Sequence, residues 1–166
     1  MRQKCRRNRK ALKITLLAIG TKMPHWVTEA YVEYSKRLPQ ECALKLIEIP
    51  AEKRTKNTDI ARVTQYEGER VLASIPKGDY VIALTERGKL WNTREFSAQL
   101  GSWQQAGQNI SLLVGGPEGL SAACLEKASL QWSLSPLTWP HPLVRVMLAE
   151  QIYRAWSLLS HHPYHR

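Results

Sequence analysis

The sequence predicts an α/β fold, a mostly parallel sheet with helices on both faces. Three observations lead there. Short runs rich in branched apolar residues alternate with helix-length amphipathic stretches from Leu12 onward. A helix between consecutive strands is what parallel pairing needs and a hairpin does not. The chain's 166 residues suffice for one domain with a substantial core.

Taken in order, "KITLLAIG" reads as a buried strand ending at Gly20. "MPHWVTEAYVEYSKRL" reads as a helix, with Pro24 in its first turn and Trp26, Ala30, Tyr31 and Tyr34 at three-to-four spacing. "ALKLIEIP" is a second strand stopped by Pro50, and "AEKRTKN" a basic loop. "TDIARVTQYEGERVLASI" is a helix to be capped by Asn57 or Thr58. "DYVIALT" is a third strand, with "TERGK" as the loop beyond it. "TREFSAQLGSWQQAG" is a helix closed by Gly107, and "NISLLVG" a fourth strand. "LSAACLEKA" is a short helix, "LQWSLS" a strand and "PLVRVMLAEQIYRAWSLLS" the longest helix. A tail, "HHPYHR", closes the chain. In such sheets ligands sit beyond the carboxyl ends of strands, which directs attention to "TERGK" and to "GGPEG".

Composition narrows the class. Hydrophobic content of 43% and charged content of 23% fit a globular domain. No apolar run is long enough to span a bilayer, and no signal-peptide pattern is present, so a cytoplasmic protein is expected. Cys5, Cys42 and Cys124 are widely spaced, which suggests plain thiols and neither a disulfide framework nor a metal site. The net charge of +10 favours a polyanionic partner such as nucleic acid. Six of those charges lie in "MRQKCRRNRK", so the remainder carries only +4. Residues 1–11 read as a basic extension, either an RNA-contacting arm or a start-site artefact, ahead of one domain at 12–166.

"LLVGGPEGLS" is the most informative stretch. A phosphate loop needs a lysine after its glycines, and here no Lys or Arg occurs before Lys127. A dinucleotide fingerprint needs another glycine spacing and a long following helix. Glu118 would also repel a phosphate. A tight turn that merely needs glycine dihedrals remains open. A nucleoside ligand without phosphates fits better, and S-adenosylmethionine, whose sulfonium is cationic, suits a lysine-poor loop.

"GTKMP", "LIEIPAEKR", "LVGGPEGLS", "SLSPLTWPHPLVRVMLAEQIYRAW" and "HPYHR" together resemble the ribosomal RNA large subunit methyltransferase H family, small SPOUT-class (α/β-knot) enzymes. The resemblance covers Leu12 to Arg166. It implies methyl transfer from S-adenosylmethionine to N3 of a pseudouridine, at position 1915 of 23S ribosomal RNA. It also implies a C-terminal trefoil knot and a homodimer, while the mild charge of the remainder points to the assembled ribosome or its large subunit as the partner in preference to naked RNA. The implied cofactor loops are those at Leu84, at Gly115 and Gly116, and at Leu134, Ser135, Pro136, Leu137, Thr138 and Trp139. Apolar Leu84, Leu134 and Leu137 would pack the adenine; ordinary core is their structural alternative. The chain departs from the family where Thr85 stands in place of an acid, which puts one cofactor hydroxyl contact in doubt, and it lacks the trailing acid that some relatives show.

The chemistry asks for alignment and for removal of the imide proton from N3. It needs no metal. Candidate groups are His141, Arg145, Arg154, Tyr164, His165 and Arg166, with Glu150, His161 and His162 nearby. Arginines can hold phosphates or a developing oxyanion, and histidine or tyrosine can relay the proton. Arg145 and Arg154, nine residues apart, are expected on roughly the same side of the helix with Glu150 between them. A buried Arg–Glu pair is the structural alternative. "HHPYHR" follows the helix with nowhere obvious to pack. It is expected to close over the cofactor pocket, its own or a partner subunit's, with Tyr164 stacking on a base. Trp132 and Trp156 are expected in core or interface, and Lys53, Arg54 and Lys56 form a candidate phosphate patch. Two other functions fit less well: a SPOUT methyltransferase for another RNA position, such as a ribose 2′-hydroxyl, and a non-catalytic RNA-binding assembly factor.

Overall fold

The computed structural model describes residues 10–166; Cys5 and most of the basic extension, residues 1–9, lie outside it. The elements follow the order β1 (Leu12–Ile19), α1 (His25–Ser35), β2 (Cys42–Ile49), α2 (Ile60–Ala73), β3 (Tyr80–Leu90), α3 (Thr93–Ala106), β4 (Ile110–Val114), α4 (Ala122–Lys127), β5 (Leu130–Ser133) and α5 (His141–Leu159). The five strands form one sheet in the order β2-β1-β4-β3-β5. Every neighbouring pair is parallel.

Helices cover both faces, so the interior strands are apolar on both sides. Leu12, Ile14, Leu16 and Ala18 of β1 pack with Phe96 and Leu100 of α3 and Leu148 and Ile152 of α5. Leu17 and Ile19 point the other way, toward Val71 of α2 and Cys124 of α4. All five residues of β4 are buried. Fully burying a side chain such as Phe96 is worth about 2 kcal/mol. Edge strand β2 instead alternates, with exposed Ala43, Lys45 and Glu48. Cys42 and Cys124 are buried free thiols, and burial pushes the Cys42 thiol up to about 12.

Four local expectations need correction. Helix α2 is capped by Asp59, whose side chain accepts from the Arg62 amide. Thr58 is occupied in the preceding turn, where its hydroxyl accepts from the Thr55 amide at 2.6 Å. Pro24 stands at the cap of α1, not inside its first turn. "TERGK" is not a loop: β3 continues to Leu90, and its register on β5 shifts between Leu84 and Lys89. Residues 85–88 bulge out and the strand then returns. A Cβ on Gly88 would lie 2.5 Å from the Trp132 carbonyl carbon, so glycine allows that return.

The fourth correction concerns the tail. His161 adopts φ 54°, which reverses the chain, and Pro163–His165 form a 3-10 turn against α5. The Tyr164 ring sits 4.6 Å from that of Tyr153, and its hydroxyl donates to Glu150 at 3.0 Å. Tyr153 and Trp156 also stack, with centroids 5.8 Å apart. The tail therefore has a packing partner after all.

Helix α3 carries a full capping box: Asn92 accepts from the Glu95 amide and Glu95 accepts from the Asn92 amide. Replacing Asn92 with Ala should lower unfolding stability by about 1 kcal/mol, as a shifted urea midpoint at unchanged slope. Gly107 closes the same helix with φ 69°.

Candidate functional site

A cavity of about 890 Å³ opens at the carboxyl ends of β3, β4 and β5. Three segments build its wall. The first is the β3 bulge, with Leu84, Thr85, Glu86 and Arg87. The second runs from Val114 through Gly115 to Leu120. The third is the loop after β5, with Leu134, Ser135, Leu137, Thr138 and Trp139, leading to Pro140 and His141.

Local chemistry shapes each segment. In the second, Gly119 has φ 81° and its amide donates to the Gly116 carbonyl at 3.0 Å. A Cβ on Gly115 would stand 2.3 Å from the Gly119 carbonyl carbon. The loop folds on itself so closely that only glycine fits. Ser121 then caps α4 by accepting from the Cys124 amide. In the third segment, Ser133 donates to the Ser135 carbonyl at 2.9 Å, and the Ser135 hydroxyl accepts from the Leu137 amide at 2.9 Å. These bonds turn the chain so that Leu137, 67% exposed, stands at the cavity mouth.

Of the residues expected around a methyl donor, Leu84, Gly115, Gly116, Leu134, Ser135, Leu137, Thr138 and Trp139 all lie on this one wall. Pro136 lies in the third segment but is absent from the wall, because the turn made by Ser135 directs it outward to solvent. Thr85 Oγ1 and Trp132 Nε1 are buried in the same wall without a hydrogen-bond partner. Trp132 is 3% exposed and packs 4.5 Å from the Phe96 ring, so it belongs to core and cavity alike.

Among the described residues no lysine lines the cavity, in keeping with the sequence argument against a phosphate cradle, but the part of that argument that rests on Glu118 does not hold. Glu118 does not stand as a free negative charge: Arg54, from the loop after β2, donates to it at 2.6 Å and holds its carboxyl below the usual range. Arg54 is thereby removed from the candidate phosphate patch, while Lys53 and Lys56 remain exposed.

The candidate reaction groups separate into three places. His141 lies on the cavity wall at the start of α5. Burial, then the nearby Arg145 and Arg54 charges, lowers the pKa of its imidazole. The side chain is thus neutral at pH 7, with a lone pair free to take a proton. NMR titration of the protein should place the His141 transition below 6.5, its unperturbed value; a transition above that value would contradict the environment described.

Arg145 is elsewhere, only 1% exposed. Its guanidinium donates to Glu48 at 2.7 Å and to the carbonyls of Ile19 and Gly20 at 3.0 and 2.7 Å. It pins the end of β1, and its burial takes it out of reach of an RNA phosphate. Nine residues of helix make two and a half turns, so Arg145 and Arg154 point to opposite sides, contrary to expectation.

Arg154, Tyr164, His165 and Arg166 form the third group. Arg154 pairs with Glu150 at 2.6 Å and lies 4.9 Å over the Tyr164 ring. Burial first, then the Glu150 carboxylate, pushes the Tyr164 phenol upward, so it remains a protonated donor. His165 is half-buried and Arg166 exposed. None of the four lines the cavity. Glu150, to which Tyr164 is tied, lies about 14 Å along the axis of α5 from His141.

Sequence reasoning missed Arg54, Glu67 and Glu48 as parts of this architecture. Arg54 and Glu67 are thirteen positions apart, and Glu48 and Arg145 ninety-seven. No periodicity links such pairs; only the fold brings them together. Among the described residues, no group of three or more His, Cys, Asp and Glu converges as metal ligands.

A parallel sheet with a glycine-containing cavity wall at its strand ends, carrying no lysine among the described residues, places the protein with the α/β folds that bind ligands in that crevice. Comparison with known proteins narrows this. The family model described as "Predicted SPOUT methyltransferase" matches residues 12–165, and the chain belongs to that family. It is 59% identical over 155 residues to a protein named ribosomal RNA large subunit methyltransferase H from Thioalkalivibrio sulfidiphilus (strain HL-EbGR7), covering 93% of this chain and 99% of that one. Among solved structures, it is similar to a methyltransferase from Legionella pneumophila in complex with bound SAM (TM-score 0.50, 13% identity, 89% of this chain and 68% of the other). It is also similar to a methylase family protein from Neisseria gonorrhoeae (TM-score 0.50, 11% identity, 92% and 94% covered). At such identities these two report the fold alone.

Proposed function

We propose that this methyltransferase uses S-adenosylmethionine to methylate N3 of the pseudouridine at position 1915 in 23S ribosomal RNA. The observation that carries the reading is the convergence of the three strand-end segments on one cavity, in a chain 59% identical to a large-subunit rRNA methyltransferase. The residues present fit the cofactor. Glycine at 115 lets the loop fold tightly on itself and so shapes the wall, Leu84, Leu134 and Leu137 offer apolar packing, and buried Thr85 Oγ1 has hydrogen-bonding capacity to spare. Among the described residues, the basic side chains on the wall are Arg87 and His141, and Glu86 and Glu118 stand on the same wall, which suits a cationic ligand.

When bound, the cofactor supplies an already activated methyl group. The chain's tasks are then to align the acceptor and remove its proton. His141, neutral and on the wall, is the proposed proton acceptor. Tyr164, His165 and Arg166 are proposed to meet the RNA over the cavity of a partner subunit, because their own cavity is too distant. Arg154 would orient Tyr164, and Arg145 would act only by holding the end of β1. A homodimer, a knotted C-terminal half, a cytoplasmic location and the ribosome or large subunit as the working substrate belong to the same proposal.

The test is mass spectrometry of rRNA nucleosides from a strain lacking the gene, with and without its return. Loss of the N3-methylated pseudouridine and its restoration support the reading. Loss of a ribose 2′-O-methyl group instead identifies another RNA position.

A further inference from the structure

We infer that Arg54 is a positioning residue for the methyl-donor site, bracing the glycine loop by tying Glu118 at its tip to the buried Glu67 of α2. The inference rests on reading the cavity as that site. Arg54 and Glu67 do not line the cavity themselves.

The loop needs a brace. Glycine-rich backbone is conformationally loose, and Pro117, Glu118 and Gly119 are exposed, so no apolar packing holds the tip. The bridge between Gly116 and Gly119 sets the loop's own shape but not its angle to the sheet. Arg54 supplies that angle. Nε and Nη2 both donate to Glu118 Oε2, at 3.0 and 2.6 Å, and Nε also reaches Oε1 at 3.2 Å. Nη1 and Nη2 donate to the two Glu67 oxygens at 2.9 and 3.1 Å, and Nη1 also to the Glu52 carbonyl at 2.9 Å. All five guanidinium N–H groups are thus committed, a two-sided fork that the point charge of lysine cannot reproduce.

The anchor is firm. The Glu67 side chain is 1% exposed and also accepts from the Glu52 amide at 2.8 Å. A buried carboxylate of this kind requires its cation. The brace also stands directly behind the loop. A Cβ on Gly116 would lie 3.6 Å from Arg54 Nη2 and 3.7 Å from Glu67 Oε2. One residue along α2, Gly68 lets Ser121 approach so closely that a Cβ there would meet its Oγ at 2.1 Å. Helix α2 therefore holds the loop at its tip and at its exit.

The experiment is calorimetric binding of S-adenosylhomocysteine to the full chain, alongside thermal melting. Glu118→Gln changes a surface group and should leave melting unchanged while weakening binding about tenfold, the factor one charge-assisted hydrogen bond carries. Arg54→Lys should not restore binding. Because Arg54→Met alone would strand Glu67, the paired variant is R54M/E67Q. It should bind about tenfold more weakly, and adding Glu118→Gln to it should cost nothing further. In turnover, KM for the methyl donor should rise while kcat at saturation stays within about twofold. Unchanged binding by E118Q, or an equal further loss in the R54M/E67Q background, overturns the brace. Absence of binding by the unaltered chain overturns the donor-site reading itself, and the brace with it.

Discussion

Replacing Gly115 with Ala should weaken methyl-donor binding by about 100-fold, the scale expected when a binding wall is displaced by an ångström. The reason is local and steric. The new Cβ would stand 2.3, 2.5 and 2.7 Å from the Gly119 carbonyl carbon, carbonyl oxygen and Cα. These are backbone atoms, so the loop cannot yield by rotating a side chain. It must open, and opening breaks the Gly119-to-Gly116 hydrogen bond and moves the wall. The strand behind it stays, because β4 is buried and paired on both sides. Gly119→Ala makes a useful contrast. Nothing lies within 4 Å of its Cβ position, but φ is 81°. That variant should lose about 1 kcal/mol of stability through backbone strain, with a smaller effect on binding. Calorimetry with S-adenosylhomocysteine and thermal melting separate the two. Equal binding by G115A and the unaltered chain would show that the cavity is not the donor site.

Deleting Tyr164 to Arg166 should abolish methyl transfer, by about 100-fold or more, while leaving the fold and donor binding intact. The segment lines no part of the cavity in its own chain. Its losses on deletion include the hydrogen bond to Glu150, the interaction with Tyr34 of α1 and ring contacts with Tyr153 and Arg154. The sheet and its two cores are untouched. An effect on transfer without an effect on donor binding is therefore diagnostic of a role toward RNA. Mixing the deleted chain with a cavity-defective chain such as G115A offers a sharper form. If the tail serves a partner's cavity, mixed dimers should recover part of the activity. Full activity of the deleted chain alone would remove the tail from the mechanism.

Much of the fold was legible in the residues. β1 and β4 announce themselves as continuous apolar runs because helices cover the sheet on both faces. Gly107 marks the end of α3 without reference to any neighbour. The β3 bulge was not legible. "TERGK" has turn composition, yet pairing with β5 draws it back into a strand, and only the near contact of Gly88 with the Trp132 backbone explains the glycine. The site was half legible. Its glycine segment could be picked out from composition and position after a strand. The charge on Glu118 was misjudged, since its partner Arg54 lies 64 positions earlier.

By itself, then, the sequence determined the alternation of strand and helix, the strand-end loops and the family that those loops resemble. All of these depend on residues near one another in the chain. Only the tertiary structure decided which charges are spent internally and which remain for a ligand. Arg145 is taken up by Glu48 and the end of β1, and Arg54 by Glu67 and Glu118, while His141 is left on the cavity wall. The physical reason is that a charge buried by folding must find its partner wherever the sheet order places one, and that order is not written in local spacing.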